Sequence, residues 1–291
     1  MNDCFKEVSV EDLSPIVSTV GAFPSDFCDF TPFVIWAWQR FYKTEYAIMD
    51  GALILKHKID NEDCYALLSK DAVKATEALL KELSYSTLTL SLVSFDQLQK
   101  LKEAFDVTQE EASEDWADYI YLHSDLAEFS GKRFAGQRNH INKFLSAVTS
   151  WSYEEITRDN VKEVASFYKE LSFNTSNYNE TALYEHDMLT QYLAEGYNDF
   201  SMMGGFIRAD GKIVSFALGE TVGDTLFVHV EKARRDVPGA YQMIVREFAR
   251  HNPAIFVNRE EDMGIEGLRT SKKSYHPLRL AMKYKVKISK K

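Results

Sequence analysis

The chain has 291 residues, 45% hydrophobic, 13% aromatic and 27% charged, which excludes disorder and low complexity and suits one large domain or two of average size. A net charge of −10 and a pI near 5.3 exclude a uniformly basic nucleic-acid binder. No apolar run approaches the ~18–20 residues of a membrane-spanning helix, the N-terminus lacks a signal-peptide layout, and Cys4, Cys28 and Cys64 show no metal-type spacing; a reduced, cytoplasmic chain with no disulfide and no integral membrane segment is expected.

Residues 10–20 carry an amphipathic helix pattern, and residues 33–41 an unusually aromatic one, entered through Thr31 and Pro32. Strands at 45–49 and 52–58 flank Asp50-Gly51, a dipeptide that tolerates positive φ at both turn positions. A strand at 64–69, a helix at 71–83, a strand at 88–93, a helix at 96–105 and a strand at 119–122 follow. A first strand at 5–8 would complete the set. Residues 134–148, rich in Arg, Asn and His, read as a connecting helix. The second half gives a strand at 151–156, helices at 160–171 and 183–193, and strands at 200–208 and 212–220 joined by Asp210-Gly211. A strand at 225–233, a helix at 240–251, a strand at 254–258, a short helix at 265–274 and a closing strand at 279–288 end the chain. The two halves share one element order, with an Asp-Gly hairpin at the same place, so the chain reads as two copies of one domain rather than a solenoid.

Charge divides along the chain. Residues 1–130 hold 10 Lys and Arg against 24 Asp and Glu, whereas residues 131–291 hold 24 against 20. From Leu268 to Lys291 there are nine basic residues and no acidic one, which fits either a basic surface or a tail that balances an acidic body.

The order β-α-α-β-β-β-α-β-α-β resembles the GNAT acyltransferase fold, here in tandem. The fold expected is therefore α/β (α+β): two GNAT-like domains, each a mixed, mostly antiparallel sheet flanked by helices. Their expected boundaries are 1–125 for a degenerate scaffolding domain, 126–150 for the connecting helix and 151–291 for the active domain. The stretches Phe129-Ser-Gly-Lys-Arg133, Arg138-Asn-His-Ile-Asn-Lys-Phe144, Phe227-Val-His-Val-Glu-Lys-Ala233, Gly239-Ala-Tyr-Gln242 and Val257-Asn-Arg-Glu-Glu-Asp-Met-Gly264 are similar to the C-terminal domain of phosphatidylglycerol lysyltransferases. So are Gly267-Leu-Arg269 and Lys273-Ser-Tyr-His-Pro277. The resemblance is to the uncharacterised soluble bacterial branch of that family, related to the Fem-type aminoacyl transferases. It implies transfer of an aminoacyl group from a charged tRNA to an amine or hydroxyl acceptor, which would be a small molecule, a peptide or a lipid headgroup. The alternatives are an acyl-coenzyme A-dependent N-acyltransferase and a catalytically inactive binding module on the same fold. No cofactor beyond the acyl donor as co-substrate is implied.

Strand alternation over 225–233 puts Phe227, His229 and Glu231 on one face, beside Glu220 at the end of the preceding strand. His229, Glu231 and Glu220 are the candidate catalytic groups, since an attacking amine must lose a proton to a nearby base; a structural ion pair is the competing account. The turn leading to Gly239, Ala240 and Tyr241 is the candidate donor site, with Arg235 and Asn258. It is a degraded version of the pyrophosphate-binding turn of coenzyme A users, because Pro238 has no N–H to donate. Asn258 should face the sheet, while residues 259–262 read as a solvated loop, and no metal is expected there. Arg269, Lys272 and Lys273 share a helix face, and Lys132, Arg133 and Arg138 add a second basic group; together they suit the phosphates of a tRNA acceptor arm. The aromatic helix reads as core. The first half shows no comparable polar cluster.

Overall fold

The computed structural model describes residues 4–9, 13–172, 180–197 and 202–291. In chain order the elements are β1 (Lys6–Glu7), α1 (Leu13–Ala22), α2 (Pro32–Tyr42), β2 (Glu45–Met49), β3 (Ala52–Ile59), β4 (Glu62–Leu68), α3 (Ala72–Glu82), β5 (Thr87–Val93), α4 (Phe95–Ala104), β6 (Phe105–Ala112) and β7 (Asp118–Leu122). They continue as α5 (His123–Glu128), α6 (Ala135–Ala147), β8 (Trp151–Glu155), α7 (Val161–Ser172), α8 (Glu180–Gln191), β9 (Met203–Ala209), β10 (Lys212–Val222) and β11 (Thr225–Ala233). The last are α9 (Ala240–His251), β12 (Phe256–Asn258), α10 (Glu266–Lys273), β13 (Arg279–Ala281) and β14 (Tyr284–Lys290). The expected starts of the first helix and of the strand at 200 fall partly outside the described residues.

Local chemistry sets these boundaries. Thr31 caps α2 through Val34 N with Pro32 in the first turn; Asp71 accepts from Val73 N and Lys74 N to start α3; Ser94 and Gln97 form a reciprocal capping box on α4. Both Asp-Gly hairpins form as expected, with φ of 49° and 78° at Asp50-Gly51 and of 47° and 80° at Asp210-Gly211. One run of helix was not expected: after α8 the chain winds into a π-turn over Tyr192–Gly196.

The chain forms two compact units. The first comprises residues 1–119, 260–270 and 279–291; the second comprises residues 120–259 and 271–278. The first unit has a seven-stranded mixed sheet in the order β1-β2-β3-β4-β5-β14-β6. Its core gathers Ile54, Leu79, Leu80, Leu90, Leu98, Leu101, Val286 and Ile288. The second unit's sheet carries β7, β12, β11, β10, β9 and β8 in that order, antiparallel except for β11 on β12.

This partition corrects the expected boundaries, because the closing strand belongs to the first sheet. β14 buries Val286 and Ile288 and pairs on one side with β5 and on the other with the acid-rich edge strand β6, where Lys285 faces Glu111. Lys285 also pairs with Glu62 at 3.2 Å, and Lys291 Nζ donates to the carbonyls of Lys102 and Glu103 at the end of α4. The basic tail thus balances an acidic body. By unit, the cations and acids number 17 and 26 in the first and 17 and 18 in the second. The division into acidic and basic halves does not survive folding.

Candidate functional site

In the second unit, β10 and β11 pair antiparallel until Leu218 meets Val230; the next pair is Gly219 with Val228, so His229 is an extra residue in a β-bulge. The bulge needs a glycine opposite, since a Cβ on Gly219 would lie 2.2 Å from the Phe227 carbonyl oxygen. β11 pairs with β12 only over Thr225–Phe227, against Phe256–Asn258, and then runs on to Ala233. The two parallel strands therefore part beyond Phe227 and Asn258. Asn258 is fully buried, facing the sheet as its alternation requires.

His229 and Glu220 meet as expected, with Nε2 3.1 Å from Oε1, but the pair is enclosed, with side-chain exposures of 2% and 6%. Glu231 does not join them. Its Oε2 accepts from Arg259 Nε at 3.1 Å, from Arg259 Nη2 at 2.5 Å and from the Tyr241 hydroxyl at 2.8 Å. Alternation misleads here because the bulge turns His229 toward β10 while Glu231 reaches toward the end of β12. Arg259 Nη2 donates to the Tyr241 hydroxyl at 3.0 Å, and its guanidinium carbon stands 4.4 Å from the Tyr275 ring centre, 5.7 Å from that of Tyr121 and 5.8 Å from that of Tyr241. Burial is the strongest single influence and opposes the charge on Arg259, but the Glu231 carboxylate together with Tyr241, Tyr121 and Tyr275 outweighs it and holds the guanidinium pKa well above its ordinary value. Burial, with Glu231 beside it, likewise pushes the Tyr241 hydroxyl up.

The candidate donor turn is closely packed. Gly239 has φ of 75°, and a Cβ there would lie 2.1 Å from the His140 carbonyl oxygen, so the start of α9 packs on α6. Ala240 is fully buried. The turn is thus packed closely against α6 at Gly239. Arg235 is exposed, and the Tyr241 hydroxyl donates to Glu231.

The basic residues do not form one surface. Lys272 is buried, with Nζ donating to the Arg259 carbonyl. Arg269 belongs to the first unit, clamped by Asp262 at 2.8 Å and Asp115 at 2.5 Å. Arg138 donates to the carbonyls of Phe129 at 2.5 Å and Gly131 at 2.6 Å, and Arg133 pairs with Asp125 at 2.5 Å. Exposed Lys132, Arg133 and Lys273 do come together, because His276 Nε2 is 2.9 Å from the Arg133 carbonyl and Gln137 Nε2 binds Ser274.

The solvated loop expected at 259–262 is also overturned. Arg259 is 4% exposed and Asp262 fully buried, where it accepts from Tyr119 at 2.6 Å. Burial alone would raise the Asp262 pKa, but the bonds from Arg269 and Tyr119 hold it down to about 2.

The first unit contains polar clusters that its sequence did not announce. Lys283 Nζ lies 2.6 Å from Asp29 Oδ2, 2.7 Å from Asp118 Oδ1, 3.5 Å from Glu261 Oε2 and 3.8 Å from Cys28 Sγ. The Cys28, Asp29 and Asp118 ligand atoms lie within 4.8 Å of one another, but the lysine ammonium fills the space a cation would take. Burial pushes the Cys28 thiol well up, so it is an inert thiol there. Nearby, buried Ser91 Oγ and His57 Nε2 are 2.9 Å apart, with desolvation lowering the His57 pKa to about 4.

A parting pair of parallel strands, a bulge at the parting point and helices on the sheet define an acyltransferase-like protein. The family model of the phosphatidylglycerol lysyltransferase C-terminal domain matches residues 29–287, and the chain belongs to that family. A conserved protein of unknown function from Bacteroides thetaiotaomicron VPI-5482 superposes with a TM-score of 0.89 at 31% identity, over 98% of this chain and 99% of that one. FemX shares the fold, with a TM-score of 0.62 at 11% identity over 97% and 96% of the two chains. An uncharacterized protein of Mycoplasmoides gallisepticum is 23% identical over 195 residues, which are 66% of this chain and 62% of that protein. Among the described residues, no helix is long and apolar enough to cross a membrane.

Proposed function

We propose that the second unit transfers an aminoacyl group from a charged tRNA to an amine or hydroxyl acceptor. The observation that carries this is the bulge, which sets the His229–Glu220 pair where β11 leaves β12. With Nε2–H donating to Glu220, Nδ1 is the basic nitrogen of His229. The acceptor attacks the ester carbonyl, its N–C or O–C bond forms, and its proton passes to His229. As the ester C–O bond breaks, the same proton goes to the ribose oxygen of the tRNA. Glu231 takes no proton in this scheme; it holds Arg259.

Coenzyme A as donor has less support, since Pro238 removes one N–H and α6 covers Gly239. The tRNA phosphates would rest on Lys132, Arg133 and Lys273, and the reaction would take place in the cytoplasm. Enclosure of His229 favours a second reading, a binding module without catalysis.

Incubation with labelled aminoacyl-tRNAs and a fraction of small-molecule, peptide and lipid acceptors decides between them. We expect labelled product, reduced ~10²–10⁴-fold by His229→Gln. Absence of product from every charged tRNA, with firm coenzyme A binding by calorimetry, would reverse the order of donors.

A further inference from the structure

Beyond Phe227, β11 has left β12, and among the described residues β10 is its strand partner from there to Ala233. Side chains alternate along a strand, so a slip of one residue turns every side chain beyond it to the other face. The bulge is such a slip, and its place decides where Glu231 points. With His229 as the extra residue, Glu231 stands opposite Ala217, on the face that α9 covers. There its carboxylate accepts from Arg259 and from Tyr241, the second residue of α9. Were the extra residue to lie beyond Glu231, His229 would stand opposite Leu218 and Glu231 opposite Phe216. Phe216 packs on Phe167 and Tyr168 of α7, so Glu231 would then face α7, away from Arg259.

Arg259 is itself fixed at the end of β12. Lys272 Nζ donates to its carbonyl, and its guanidinium lies against the rings of Tyr275, Tyr121 and Tyr241. A buried ion pair adds little net stability over an apolar pair of similar volume, and its best-supported use is to specify register. We infer that Arg259 is a positioning residue: through Glu231 it holds the bulge at His229, and so sets the imidazole against Glu220. Clamp and base lie two residues apart on β11. The effect on transfer rests on the transferase reading of His229; the effect on the bulge does not.

The test uses the full chain labelled with ¹⁵N-histidine, in which the His229 imidazole signals are identified by their loss in His229→Gln. The double variant Glu231→Met with Arg259→Met removes both charges at once, so neither is left buried alone. It should keep the parent's circular dichroism and move the His229 signals away from those of a ring bonded to Glu220. Tyr119→Phe, which removes a bond to buried Asp262 in the first unit, should leave them in place. Arg259→Lys keeps the charge but not every bond and should shift the same signals by less; it carries the test where the double variant does not fold. In aminoacyl transfer the double variant should lose about 10²-fold in kcat, the cost of a displacement of about 1 Å, with KM for the acceptor unchanged. Unmoved His229 signals in the folded variants refute the inference, as does an equal shift in Tyr119→Phe. A rise in KM alone also refutes it, since it would put Glu231 or Arg259 on the substrate. Shifted signals in a chain whose parent transfers nothing would refute the transferase reading and leave the clamp.

Discussion

Replacing Lys283 with Met should be the most damaging single charge removal in the first unit. The ammonium is 7% exposed and lies within 3.5 Å of carboxylate oxygens from Asp29, Asp118 and Glu261. Asp118 is fully buried and would keep its 2.7 Å bond from Cys28 N, but it would face two further carboxylates with no cation between them. Breaking a buried pair by removing one partner costs about 3–5 kcal/mol, because the remaining charge stays desolvated. The variant can respond only by protonating its carboxylates. Their folded-state pKa values would rise above the unfolded ones, so the folded chain takes up more protons than the unfolded chain as pH falls from 7.5 to 5, and the deficit shrinks. Urea unfolding followed by tryptophan fluorescence at both pH values measures this directly. Adding Asp118→Asn should restore part of the loss at pH 7.5. A deficit below about 1 kcal/mol at pH 7.5, or one of equal size at pH 5, would refute the argument.

Burial pushes Glu261 up to about 7, with Lys283 opposing. A carboxyl raised above its unfolded value binds more protons when folded, so its contribution is favourable at low pH and is lost as pH rises from about 4.5 to 7, by at most about 3 kcal/mol. Glu261→Gln should therefore flatten the fall in Tm over that interval; an unchanged slope would exclude Glu261 as its source. Gly219→Ala would drive a Cβ to 2.2 Å from the Phe227 carbonyl and should cost about 1–3 kcal/mol by straining the bulge, visible as a lower urea midpoint. Tyr119→Phe removes a 2.6 Å bond to buried Asp262 and should cost about 1.5–3 kcal/mol, measured the same way.

Periodicity and turn chemistry are local, and they located the elements that depend on them: β11 and α9 begin and end where alternation and the helical period place them, and both Asp-Gly turns close their hairpins. Pairing across long separations is not written in a window of residues. β14 alternates Lys285 and Lys287 with Val286 and Ile288 as any closing strand would, and nothing local says that its partners are β5 and β6. The run 259–262 looked solvated for the same reason. Arg259 is buried because of Glu231, 28 residues away, and Asp262 because Arg269 in α10 and Tyr119, 143 residues away, both bind it. A charged residue looks exposed until its counterion is known.

One overlooked sign was present in the sequence. Gly219 sits inside a strand, where a glycine often marks a bulge or a close backbone approach. Taken seriously, it would have broken the alternation that put His229 and Glu231 on one face. The consequence is chemical, because the two candidate bases become separate devices. His229 pairs with Glu220, whereas Glu231 serves as the counterion of buried Arg259. The bulge therefore separates the His229–Glu220 pair from the Arg259–Glu231–Tyr241 cluster on a single strand.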